Sequence, residues 1–173
     1  MTTEAIAVVN TEGTLIDAVI AALTDAFLKG KKVFGRVVAS TSAQHIEQTM
    51  FRKKTPFAAV LATMGTETKG VPTERHITLD LTVYVGKQCP AKLDETAKTK
   101  EKFRLANLVK NAIEADTTIT STATGIPDED NFHPKGPRWG EMSDVETENA
   151  KPPWVAFTLP FTLGFPILTL TSH

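Results

Sequence analysis

The sequence has little cysteine and little net charge. Cys89 is the single cysteine among 173 residues, so no disulfide can form within the chain and folding needs no oxidising compartment. The formal net charge is -1 at pH 7, which removes the strongly basic balance typical of nucleic-acid-binding proteins. The segment MTTEAIAVVN at the N-terminus lacks the basic start and sustained apolar core of a secretory signal. We therefore expect synthesis and folding in a cytoplasm.

The sequence also lacks an apolar run long enough for a membrane helix, which needs roughly 20 residues. Its most apolar stretch, PPWVAFTLPFTLGFP at 152–166, is interrupted by prolines and a glycine. Apolar residues alternate with smaller or polar ones from Val155 to Leu163, which predicts a strand with one face in the core. Pro160 cannot donate to a ladder, so it belongs on an edge, at a bulge or where the strand changes partner. A long edge strand needs a cover, and this one is predicted to meet another subunit.

Signatures of catalysis and of cofactor binding are missing. The glycines form neither a GxGxxG nor a GxxxxGK[ST] pattern, and the four histidines do not pair at metal-ligand spacing with each other or with Cys89. The acidic run DEDN at 128–131 lacks the alternation, the central glycine and the distal glutamate of an EF-hand loop. The sequence therefore predicts no cofactor, no metal and no enzymatic activity.

Two amphipathic helices are predicted. The segment TEGTLIDAVIAALTDAFLKGKK at 11–32 carries apolar residues at helical spacing up to Phe27, with Thr14 and Asp17 resembling a capping box and Gly30 at the C-terminal end. Asp94 can cap a second helix from about Glu95 to Ala115.

The remaining segments read mainly as strands. VFGRVVAS predicts a short strand, FAAVLATM and HITLDLTVYV predict a hairpin, TTITSTAT predicts another short strand, and TSAQHIEQTM is either a short helix capped by Ser42 or a loop. Residues 125–153 predict a long polar loop in which Trp139 packs on a surface. The predicted fold is α+β: a single domain over 1–173, with a mostly antiparallel sheet and two main helices packed on one face.

Charge is distributed unevenly along the chain. The early part is basic and the later part is acidic, and we predict that the two lie on different surfaces available to partner proteins. The basic residues are Lys29, Lys31, Lys32, Arg36, Arg52, Lys53 and Lys54, and the acidic ones are Asp128, Glu129, Asp130, Glu141, Asp144, Glu146 and Glu148.

The order of segments resembles a known family. An N-terminal TLIDAVIAALTDAF helix, a PFAAVLATMG strand, an RHITLDLTVYVG strand, a KFRLANLVKNAIEA helix, a long polar loop and a closing WVAFTLPFTLGF strand are similar to tail terminator and neck proteins of tailed bacteriophages, including the Mu-like type. The resemblance spans nearly the whole chain and rests on element order rather than on an invariant motif.

The resemblance implies a structural virion protein, located in the tail or neck and assembled in the host cytoplasm. Its subunits form a six-membered ring that caps the head-proximal end of the tail tube, ends tube polymerisation and joins the tail to the head. The implied partners are other copies of the chain, the tail tube protein, the head-tail connector protein and the sheath protein of tails that have one, with no membrane and no specific nucleic acid. The predicted interface residues are Arg52, Lys53, Lys54, Trp139, Trp154, Phe157 and Pro160.

Two alternatives remain open on the sequence. The chain can be another head-tail connector or baseplate component. It can also be a small hydrolase or ligand-binding domain that uses Glu74, His76 and Cys89 around one pocket, in which case a histidine brought near by the fold would activate the thiol.

Overall fold

The computed structural model describes residues 11–49, 56–69, 74–90, 92–123, 136–146 and 154–168, and within these ranges only the backbone of residues 49, 64–69, 74–76 and 166–168. The elements in chain order are α1 (Thr11–Thr24), β1 (Phe27–Leu28), β2 (Lys31–Lys32), β3 (Arg36–Ser40), α2 (Ala43–Thr49), β4 (Phe57–Lys69), β5 (Glu74–Gln88), α3 (Glu95–Glu114), α4 (Thr117–Thr122), β6 (Arg138–Trp139), β7 (Ser143–Asp144) and β8 (Trp154–Leu168).

A six-stranded sheet organises the chain, with strand order β3-β4-β5-β8-β6 and with β7 also paired to β8. All pairings in it are antiparallel except that of β3 with β4. The hairpin of β4 and β5 and the pairing of β5 with β8 join three long strands along their length. The α+β prediction with a mostly antiparallel sheet is confirmed.

The core lies between this sheet and the helices α1, α3 and α4. Because side chains alternate across a strand, every second residue of Ala58–Val60, Leu79–Val85 and Val155–Phe165 enters this layer. The helices contribute residues at helical spacing to the same cluster. Its fully buried members include Leu15, Val19, Leu23, Val83, Leu105, Val109, Ile113, Ile119, Phe157, Leu159 and Leu163. The two predicted main helices, α1 and α3, therefore pack on one face of the sheet.

Side-chain caps fix the starts of three helices. Asp94 accepts a 2.7 Å hydrogen bond from the backbone N–H of Ala97, as predicted for the start of α3. Ser42 accepts a 3.1 Å hydrogen bond from the N–H of His45, so the segment left open between helix and loop is the helix α2. The sequence TTITSTAT is wrongly predicted as a strand, since Asp116 accepts a 2.9 Å bond from Ile119 and starts α4.

The first helix is shorter than its sequence pattern predicts. It begins at Thr11, so Thr14 and Asp17 lie inside the helix rather than in a capping box, and it ends at Thr24. The chain then forms a tight hairpin of β1 and β2, in which Lys29 and Gly30 have φ angles of 50° and 76°. Two successive residues with positive φ form the two-residue turn whose twist suits a hairpin.

A smaller cluster covers part of the opposite face of the sheet. Ile46 of α2 packs there with Phe57 and Ala59, and Trp154 joins the cluster with its ring centroid 6.2 Å from that of Phe57. Gly86 lies opposite Phe57, where a Cβ would overlap the phenylalanine ring. A glycine is therefore required for this ring to lie across the strand.

Candidate functional site

The outer edge of β8 is covered by residues 136–146 of the same chain. Arg138 and Trp139 pair with Thr162 and Phe161, and Ser143 and Asp144 pair with Thr158 and Phe157. Between these pairs the N–H of Gly140 donates to the carbonyl of Pro160 at 2.8 Å, and beyond them the N–H of Val145 donates to that of Ala156 at 3.0 Å. The chain itself therefore covers the outer edge of β8 from Ala156 to Thr162, and a contact of this surface with another subunit stays a prediction.

Pro160 lies where its missing N–H costs nothing. In an antiparallel strand the backbone N–H and C=O of one residue point towards the same neighbouring strand. The carbonyls of Ala156 and Pro160 accept hydrogen bonds from Val145 and Gly140, so the backbone groups of the even-numbered residues of β8 point away from β5. Pro160 therefore removes no hydrogen bond to β5, and its carbonyl accepts from Gly140. The ring nitrogen of Pro166, which is also an even-numbered residue, faces away from β5 as well. The two prolines therefore reduce the number of backbone N–H donors that the outer edge of β8 offers to another strand.

Trp139 attaches this covering segment to the helical layer. Its ring lies 4.8 Å from that of Phe161 between centroids, and its Nε1–H donates a 2.7 Å hydrogen bond to Oε1 of Glu114 near the end of α3. The Lys110 ammonium lies 5.6 Å from the centroid of the same ring. The side chain thus links β6, β8 and α3, and is half-buried within a single chain.

The structure brings Pro160 beside Trp139 in one small groove but separates the other predicted interface residues that it describes. Phe157 is completely buried in the core, so its side chain is not at the surface of the chain. Trp154 is half-buried on the opposite face, beside Phe57, while Pro160 is half-buried at the covered edge. Arg52, Lys53 and Lys54 lie outside the described residues, so their predicted role stays a prediction.

The pocket suggested for a hydrolase is excluded by the geometry of one strand. Glu74 and His76 lie at the start of β5, and Cys89 follows its last residue. At 3.3 Å per residue, the backbone of Cys89 lies about 43 Å from that of His76, which no pair of side chains can bridge. Cys89 is 4% exposed, and burial raises the pKa of its thiol. These residues cannot form one catalytic site.

Within the described ranges, no three histidine, cysteine, aspartate or glutamate side chains are close enough to hold a metal ion. None of the helices in this part of the chain is long and apolar enough to cross a membrane.

No protein-family model matches the chain, and no curated protein has a significantly similar sequence.

A surface that the sequence did not reveal lies at the end of α1. Phe27 and Leu28 of the β1–β2 hairpin are 55% and 40% exposed, although they are large and apolar. They line a groove of about 690 Å³ between the end of α1 and one side of α3. Lys29, Lys31 and Lys32 of the same hairpin are exposed. The helical spacing of the apolar residues predicts that Phe27 lies on the buried stripe of the first helix. In the sequence, the pair Lys29-Gly30 alone indicates that the chain turns here.

Acidic side chains are concentrated on the segment that covers β8. Glu141, Asp144 and Glu146 are all exposed there. Asp144 accepts a 2.8 Å hydrogen bond from the ammonium of Lys102 on α3. Glu141 and Glu146 form no salt bridge to another residue in the described part of the chain. The three carboxylates outnumber Arg138, so this segment carries a net negative charge along one edge of the sheet.

A charge cluster joins β5 to α3. Glu101 accepts two hydrogen bonds from Arg104, of 2.6 and 2.8 Å, and one of 2.7 Å from the ammonium of Lys87. The hydrogen bonds from Arg104 and, to a smaller degree, the one from Lys87 lower the pKa of the Glu101 carboxyl from 4.5 to about 2, against the opposing effect of burial. The same pairing raises the pKa of Arg104.

We expect Glu101→Gln to destabilise the protein by about 1–2 kcal/mol at neutral pH. Because the folded-state pKa is lowered, the carboxylate stabilises the fold above pH 4.5 and loses this contribution as the pH falls towards 2. The effect is moderated by solvent, since the Lys87 and Arg104 side chains are 35% and 37% exposed. Urea unfolding of both proteins between pH 7 and 2 measures the difference, which should shrink through this window.

The matched control is Glu95→Gln, which removes a carboxylate from a salt bridge on the same helix. Glu95 bonds Lys98 at 2.9 Å but is 90% exposed, so its loss should cost less than about 0.5 kcal/mol. If wild type and Glu101→Gln lose stability in parallel from pH 4.5 to 2, the lowered pKa of Glu101 does not contribute to folding.

Proposed function

We propose that the chain is a structural subunit of a phage-type tail. Six copies form a ring that caps the head-proximal end of the tail tube, ends its polymerisation and presents a surface to the head connector. Its partners are other copies of itself, the tail tube protein, the connector protein and, in tails that have one, the sheath protein. In this proposal it works in the virion, at the tail or neck.

The order of the main elements supports this proposal. The chain has an N-terminal amphipathic helix, a long hairpin, a long second helix and a long closing strand, in the order that resembles tail terminator proteins. The closing strand β8 pairs with β5 of the hairpin along its whole length, so the three strands that carry part of the resemblance form one continuous unit.

The observation that carries the proposal is the difference between the two sides of the sheet. β3 ends the six-stranded sheet on one side, whereas residues 136–146 cover β8 on the other. The basic hairpin forms a separate two-stranded sheet beside α1 and α3. Surfaces that are alike associate around a two-fold axis, but two different, complementary surfaces associate head to tail. Head-to-tail contacts close into rings when the rotation between neighbours allows it.

The experiment is native mass spectrometry of the purified chain over a concentration series, followed by mixing with polymerising tail tube protein from the same source. We expect a six-subunit species, and tubes that carry a ring at one end and stop growing. Electron microscopy of the tubes measures their length and the occupancy of their ends.

The two parts of this experiment have separate consequences. A monomer that still caps tubes would place ring formation on the tube rather than in solution. Tubes that grow to the same length with or without the chain, and that carry nothing at either end, would contradict the proposed function and favour another virion component.

A further inference from the structure

The hairpin 27–32 combines apolar and basic side chains in one exposed unit. The cross-strand pairs are Phe27 with Lys32 and Leu28 with Lys31, and all four residues are exposed. We call Phe27–Lys32 the basic surface. Large exposed apolar side chains beside charges of one sign are typical of protein-binding surfaces.

The exposed acidic side chains of residues 141–146, which we call the acidic surface, have the complementary charge. They are Glu141, Asp144 and Glu146. The acidic surface lies along the outer edge of β8, through the pairing of β7 and the hydrogen bond from Val145 to Ala156. Three strands, β4, β5 and β8, lie between it and β3 in the sheet.

Helix α3 separates these two surfaces within one chain. Asp144 of the acidic surface bonds Lys102, while Phe27 and Leu28 share a groove with Arg104 and Asn111. At 100° per residue, Lys102 points about 160–180° away from Arg104 and Asn111 around the helix axis. The two surfaces therefore flank α3 on opposite sides and cannot neutralise each other within the same molecule.

We propose that the basic surface of one copy docks on the acidic surface of the next copy. This contact rests on the proposed function, since it supplies the head-to-tail interface that a ring requires. Phe27 and Leu28 provide apolar contact area, and the lysines orient the encounter with Glu141 and Glu146. The net charge of -1 means that overall repulsion between copies is weak.

Two charge-reversal variants and their mixture test this interface. Lys31→Glu/Lys32→Glu takes the basic surface from three positive charges to a net charge of -1, so both surfaces are then acidic. Glu141→Lys/Glu146→Lys takes the acidic surface from three negative charges to a net charge of +1, so both are then basic. Each variant alone should need a roughly tenfold or greater rise in concentration to assemble, because like charges meet at every contact. An equimolar mixture should assemble again, because each altered surface then faces its opposite. The restored species should contain equal numbers of both variants in alternation.

Native mass spectrometry with one variant isotopically labelled measures both the size and the composition of each species. Lys92→Glu/Lys100→Glu is the matched control, since it makes the same charge change at exposed lysines that belong to neither surface. This control should assemble like wild type. Raising the salt from about 0.1 M to about 1 M should weaken wild-type assembly, because the screening length falls from about 10 Å to about 3 Å.

Phe27→Ala/Leu28→Ala tests the apolar part of the contact separately from the charges. It should weaken assembly at low and at high salt, whereas Phe103→Ala, at a phenylalanine that is 53% exposed on α3, should not. A change in helix content or thermal unfolding of either variant would reveal a folding defect instead.

The outcomes separate this interface from the proposed function. If wild type assembles and both reversal variants assemble equally well, the docking surfaces are wrong while the ring remains. If the single variants are impaired but their mixture is not restored, the two surfaces do not contact each other. If wild type is monomeric at every concentration and both reversal variants cap tubes as well as wild type does, the proposed contact is overturned while the proposed function stands.

Discussion

Replacing Phe157 with alanine is expected to reduce the free energy of unfolding by about 3–5 kcal/mol. Phe157 is 0% exposed, lies opposite Val85 on β5 and belongs to the main core cluster between the sheet and the helices. Removal of the ring leaves a cavity that strands on both sides cannot fill, because β8 is held by β5 on one edge and by β7 on the other. Denaturant unfolding followed by circular dichroism measures the loss.

The matched control is Phe103→Ala, the same change at a ring that is 53% exposed, which should cost less than about 1 kcal/mol. Denaturant unfolding measured at several protein concentrations distinguishes a core role of Phe157 from an interface role. Loss of a core contact lowers the free energy of unfolding of each subunit equally at all protein concentrations. Loss of an interface contact has an effect that changes with protein concentration, because assembly follows mass action. A loss seen only at high concentration would show that Phe157 supports the contact between copies and not the core of one chain.

Periodic segments of this chain could be predicted because their own residues decide their structure. The alternation in β5 and β8 and the apolar stripe of α3 each place one face in the core, whatever the rest of the chain does. The cap at Asp94 is equally local, since the side chain bonds an N–H three residues later. These segments contain most of the sheet and the longest helix.

The short elements could not be predicted, because tertiary contacts decide them. β6 and β7 have two residues each, too few to show any period, and they exist through their hydrogen bonds with β8. The threonines of TTITSTAT favour a strand by propensity, but the cap at Asp116 and the burial of Ile119 favour a helix. Propensity is weak compared with such contacts.

The candidate surfaces were predictable only in their charge. The sequence separates an early basic part from a later acidic part, and Arg36 on β3 lies three strands away from the acidic residues beside β8. That these parts bind partner proteins stays a prediction. The exposure of Phe27 and Leu28 could not be predicted from the sequence, because their spacing continues the apolar stripe of α1. The turn at Lys29 and Gly30 overrides that stripe.

We expect Trp139→Ala to release the segment that covers β8 without unfolding the rest of the sheet. The change removes the contact with Phe161, the hydrogen bond to Glu114 and the interaction with Lys110, together about 2–3 kcal/mol of local stability. The amides of Gly140 and Val145 report this opening directly, because they donate to carbonyls of β8. Their hydrogen exchange should accelerate roughly 30-fold or more.

Trp139→Phe is the matched variant, because it keeps an aromatic ring on Phe161 and loses only the Nε1–H donor, so its effect should be smaller. The amide of Leu81, in the middle of the sheet, should exchange at the wild-type rate in both variants, since β5 is held on both sides. Unchanged exchange at Gly140 and Val145 would mean that backbone pairing alone holds the segment. Accelerated exchange confined to these two amides would show that one side chain keeps the acidic surface in place, and Trp139→Ala should then also weaken assembly of the ring.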